Sequence, residues 1–108
     1  MAEDLKQKMS KIIQSVKEGN YRYTIHAAGQ RIERNLSRDE IEESIVSGEI
    51  IEDYPEHHYG PACLIFGKTE QGKVIHIVCS QKEQVDIITI YEPDLVDWEE
   101  DLKTRRKI

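Results

Sequence analysis

Leu5, Met9, Ile12, Ile13 and Val16 recur at helical spacing, and the following Gly19-Asn20 supplies a stop, so the chain opens with an amphipathic helix. Thr24 can cap a second helix running to about Asn35, with Ile25, Ala28, Ile32 and Leu36 as one apolar stripe. Ser37 followed by Glu40 is a capping-box pattern, and it opens a third helix that buries Ile41, Ile45 and Val46 and ends at Gly48.

The period then changes. EIIEDY, ACLIFGK, KVIHIVCS and QVDIITIY are short runs rich in β-branched residues, separated by the Pro55 to Pro61 loop, by Glu70-Gln71-Gly72 and by Gln81 to Glu83. The pattern predicts an α+β fold, with N-terminal helices packed on one face of a four-stranded, mainly antiparallel β-sheet. In parity, Ile75, Ile77 and Cys79 alternate with Val74, His76 and Val78, while Ile88 and Ile90 alternate with Ile87, Thr89 and Tyr91. His76 and the Thr89/Tyr91 pair mark the more polar side, which is expected to be open to solvent.

At 108 residues the chain is one domain by length. It divides into an N-terminal helix at 1–20, an α+β body at 21–99 and a charged tail at 100–108, the last a solvated terminus carrying Lys103, Arg105, Arg106 and Lys107. No run approaches the roughly 20 apolar residues of a membrane span, and the N-terminus lacks the apolar core of a signal peptide, so no membrane contact and a cytoplasmic location are expected. A net charge of −6 argues against a broad phosphate-binding face while leaving room for a local basic cleft. Cys63 and Cys79 lie inside strand-like apolar runs with no CxxC spacing and read as buried free thiols. His57 and His58 are adjacent, so their side chains should point apart in an extended loop; no metal or cofactor is expected. Phosphate-loop and nucleophile-elbow chemistries lack their motifs.

What remains is His26, Arg31, Arg34, His76, Thr89 and Tyr91. On the second helix His26 lies about 100° from Ile25 on one flank of the stripe and Arg31 about 120° round on the other, while Arg34 projects nearly opposite. Glu33 is close enough along the helix to act on His26. A histidine, guanidinium groups and hydroxyls suit metal-independent RNA cleavage, in which a base takes the 2′-hydroxyl proton and cations stabilise the phosphorane. The same set suits binding an anion without turnover, and a histidine at a helix margin is commonly structural.

The ordered series "HAAGQRIERNLSRDEIEESIVSGEIIEDYP", "GPACLIFGK", "KVIHIVCS" and "ITIYEPDLVDW" resembles the family called domain of unknown function 4258, from Tyr21 to Trp98. That family is similar in layout to RelE-like and BrnT-like toxins of the barnase, EndoU and colicin group of metal-independent ribonucleases. The resemblance implies a toxin-like endoribonuclease with His26, Arg31 and Thr89 as catalytic residues and Arg34, His76 and Tyr91 binding substrate. Its implied partners are RNA and a zinc-finger antitoxin. The alternative is a non-catalytic module that docks a protein on its sheet face or edge.

Overall fold

The computed structural model describes residues 2–58 and 60–107; Met1, at the head of the expected N-terminal helix, and Ile108, at the end of the expected tail, lie outside that range. Along the chain come α1 (Ala2–Lys17), β1 (Tyr21–Tyr23), α2 (Ile25–Glu33), α3 (Arg38–Val46), β2 (Glu49–Tyr54), β3 (Ala62–Lys68), β4 (Val74–Ser80) and β5 (Val85–Tyr91). The fold class is α+β. The sheet has five strands, not four, in the order β1-β5-β4-β3-β2, and it is mixed. β2 to β5 pair antiparallel in sequence order, the mainly antiparallel arrangement expected of these four strands, while β1 pairs parallel to β5 with Tyr21 opposite Val85 and Tyr23 opposite Ile87. Three residues are too few to show a period, and parallel pairing joins parts of the chain far apart in sequence, so local pattern does not reveal β1.

The two helix starts that sequence marks are built as expected. Thr24 Oγ1 accepts from the Ala27 N–H at 3.1 Å, and at Ser37 both halves of the capping box form with Glu40. Met9, Ile12 and Val16 of α1 and Ile41 and Ile45 of α3 are buried against Cys63, Ile65, Ile75, Ile77 and Cys79 of the sheet. α3 lies hard on β3. A Cβ added at Gly67 would sit 1.9 Å from the Ser44 carbonyl oxygen, so only glycine permits this approach.

Of the stripe assigned to the second helix, Leu36, just past the helix end, is buried in the core, but within α2 the stripe is not the buried side. Ile25 is 95% exposed and Ile32 72% exposed, whereas Ala27 is fully buried. α2 lies along the sheet edge and not on its face. It continues from β1, and its cap ties it to β5 through Thr24 N–H to the Ile87 carbonyl at 3.0 Å and Thr24 Oγ1 to the Ile88 carbonyl at 3.2 Å. The Gln30 Oε1 accepts from the Ile90 N–H at 2.7 Å, where β1 no longer supplies a partner. Apolar periodicity identified the helix but not the side on which the protein lies.

β5 departs from simple alternation as well. Thr89 pairs with Val78 but Ile87 with Cys79, so Ile88 is an extra residue in a bulge. Ile87 and Ile90 therefore both join the helix-side core, in place of the Ile88 and Ile90 that strict parity selects.

The second sheet face is covered. Beyond β5, residues 93–107 double back on themselves, with Glu99 N–H to the Thr104 carbonyl at 2.8 Å and Arg106 N–H to the Asp97 carbonyl at 2.9 Å. Their anchor is Trp98, 2% exposed. The basic residues expected to be solvated are tied down here: Lys103 to Glu49 at 3.1 Å, Arg105 to Glu52 at 2.8 Å and Arg106 to Glu99 at 3.1 Å.

Candidate functional site

α2 holds two of the expected catalytic residues on different sides. His26 is exposed, on the outward face with Ile25, Gly29 and Ile32. Arg31, five residues on and so about 140° round the helix, turns back toward β1. Among the described residues no hydrogen bond, ion pair or ring contact joins His26 to Arg31, Thr89, His76 or Tyr91, and none joins it to Glu33. His26 is thus free to meet a ligand from solvent.

Arg31 is placed by the backbone and not by a carboxylate. One terminal nitrogen donates to the Leu36 carbonyl at 3.1 Å, across the turn where Asn35 takes a left-handed φ of 54°, and the guanidinium lies 5.3 Å from the centre of the Tyr23 ring. Arg38, from the first turn of α3, repeats the arrangement on Tyr21, with its carbon 5.7 Å from the ring centre and a bond to the hydroxyl at 3.3 Å. Tyr21 in turn donates to Glu42 and meets Tyr23 edge to face at 5.8 Å. Two guanidiniums therefore rest on two touching tyrosine rings. The Arg31 Nε and the Tyr23 hydroxyl are both buried, with no hydrogen-bond partner among the described residues. Burial holds the Tyr23 hydroxyl well above its usual range, so it stays a neutral donor, although both arginines pull the other way. The Tyr-x-Tyr spacing was the sequence signal for this cluster, since alternate strand residues share a face; it was missed with β1 itself.

His76, Thr89 and Tyr91 form a separate group on the covered sheet face. His76 is fully buried, and both its nitrogens are engaged. Nε2–H donates to the Leu102 carbonyl at 2.7 Å, which fixes the tautomer, and Nδ1 accepts from the Tyr91 hydroxyl at 3.0 Å. The Trp98 ring stands edge-on at 4.5 Å. Burial lowers the His76 pKa, only partly offset by the Leu102 carbonyl, so the ring is neutral at neutral pH. Burial raises the Tyr91 hydroxyl, consistent with its role as donor. In this conformation His76 cannot touch a substrate. Thr89 is half-buried on the same face, and Arg34, at the end of α2, is half-buried as well.

Cys63 and Cys79 are buried free thiols on opposing strands, with Sγ atoms 4.0 Å apart. The His57 and His58 rings stack at 4.4 Å, so they do not diverge as expected of an extended loop. Among the described residues no group of three or more His, Cys, Asp or Glu is arranged to hold a metal ion, and no helix is long and apolar enough to cross a membrane. No curated protein and no solved structure matches the chain. The model of the family described as Domain of unknown function (DUF4258) matches residues 23–92, from the end of β1 through α2, α3 and the meander, and the chain belongs to that family.

Proposed function

We propose that the protein acts on RNA as a toxin-like, metal-independent endoribonuclease whose working surface is built on α2 and the start of α3. The distribution of arginine partners carries this reading. Of six arginines in an acidic chain, Arg22, Arg105 and Arg106 are in ion pairs, while Arg31, Arg34 and Arg38 have no carboxylate salt-bridge partner among the described residues. Uncompensated guanidinium groups on one short stretch suit phosphate, which accepts their fork of donors. His26 stands exposed on the same helix.

In this reading His26 removes the proton of the 2′-hydroxyl, the freed oxygen attacks phosphorus, and the bond to the 5′-oxygen breaks as that oxygen takes a proton from water, giving a cyclic phosphate end. Arg31 and Arg34 bear the phosphate charge, and Thr89 orients the strand beside β5. Because His26 is in the first turn of α2 and Arg31 in its last, on different sides, the RNA must run obliquely across the helix from one to the other. With labelled RNA in EDTA, His26→Ala should lower the cleavage rate about 10²- to 10⁴-fold, and Arg31→Ala should weaken RNA binding. Equal cleavage by wild type and His26→Ala, or none by either on diverse RNA and ribosomes, would overturn the proposal.

One observation favours a second reading, a non-catalytic module that binds an antitoxin-type protein: the exposed Ile25 and Ile32 on one side of α2. Here the product of the neighbouring gene would co-purify with the wild type and be lost with Ile25→Asp. RNA cleavage would be absent throughout.

A further inference from the structure

Phe66, His76 and Tyr91 stand side by side on three adjacent strands: Phe66 is in register with His76, and His76 with Tyr91. Their ring centres are 6.1 and 5.2 Å apart, each pair meeting edge to face. A row of rings across a sheet is the arrangement that receives unpaired nucleobases, because each base offers a π-face and an edge of donors and acceptors. The endoribonuclease site on α2 makes no use of it.

What covers the row indicates what it can take. Residues 93–107 set the Trp98 indole against His76 edge to face, with ring centres 4.5 Å apart, and present the Leu102 carbonyl to its Nε2–H at 2.7 Å. An aromatic ring with a neighbouring carbonyl acceptor is also what uracil or guanine presents. The cover is fastened at its rim by an exposed ion pair, Lys103 to Glu49, which salt screens, and by a two-pronged pair from Arg105 to Glu52, whose guanidinium also lies 4.6 Å from the centre of the Trp98 ring. The family match ends at residue 92, so the row lies inside the matched region and the covering segment outside it.

We infer that Phe66, His76 and Tyr91 form a stacking platform for bases of single-stranded RNA, and that residues 93–107 occupy it as a built-in competitor. The inference rests on the reading that the protein acts on RNA. It makes the covering segment an autoinhibitory strap, displaced when an RNA strand engages α2 and extends across the sheet.

The test uses the full chain, a fluorescent single-stranded oligoribonucleotide read by anisotropy, and tryptic cleavage within the strap. Trp98→Ala and, as a milder surface change, Arg105→Ala should each speed cleavage at the remaining strap sites and tighten oligonucleotide binding about tenfold, the scale of one stacked base. For Arg105→Ala the gain opposes the loss of a cation, which separates unmasking from charge. Adding Phe66→Leu or Tyr91→Leu to Arg105→Ala should abolish the gain. Faster cleavage without tighter binding, or cleavage unchanged in both variants, overturns the platform. If Arg31→Ala weakens binding by the wild type in those cases, the RNA reading survives alone; if no form binds the oligonucleotide, both fall.

Discussion

A single histidine shows how environment decides role. His26 and His76 are alike in composition, but His26 stands exposed on α2 while His76 is sealed between a phenol, an indole and a backbone carbonyl. The sealed ring has a consequence for stability. Its pKa is lowered in the fold by burial from an ordinary value near 6.5, so below that value the unfolded chain binds a proton that the folded one resists. The contribution is complete above the unfolded pKa and is lost as pH falls through it toward the folded value. Denaturant unfolding at a series of pH values between 7.5 and 5 should therefore show stability declining with pH, and His76→Gln should flatten that slope. An equal slope in the variant would place the titrating group elsewhere.

At the scale of elements, local signals were read where the physics was local. The Ser37 capping box lies within four residues and forms as written, and the helical period of Met9, Ile12 and Val16 finds the core. The same reasoning failed where a partner far along the chain decides. Ile25 and Ile32 keep helical spacing, yet α2 is held by hydrogen bonds to the β5 backbone, which no side-chain pattern records. One extra residue at Ile88 reverses the strand parity that assigned faces to β5. The α3–β3 contact is equally hidden, for Gly67 looks like an ordinary glycine in a strand run. Gly67→Ala should cost about 1–3 kcal/mol as α3 is pushed from the sheet, measurable as a lower midpoint in urea. An unchanged midpoint would mean the two elements separate freely.

In the whole molecule, acidic composition and local chemistry point in different directions, and the structure shows where each is expressed. Among the described residues Arg22, Arg105 and Arg106 are neutralised at the sheet edge and in the returning C-terminal segment, while the arginines of α2, its C-cap and α3 have no carboxylate salt-bridge partner. His26, Arg31 and Arg34 could be found in the sequence because they share one helix. The division of the six candidate residues into an α2 group and a covered sheet group could not, because it depends on Trp98 reaching back over His76. The pairing of β1 with β5 has a further effect during synthesis. Arg22 and Asp86, bound at 2.7 Å, are separated by 64 positions, so the first strand has no partner until α2, α3 and the other strands between them have been made. Contacts of such long sequence separation form late. α2, tied to the same distant strand, gains its fixed pose only then, and a growing chain on the ribosome would carry His26 and Arg31 without the scaffold that aims them.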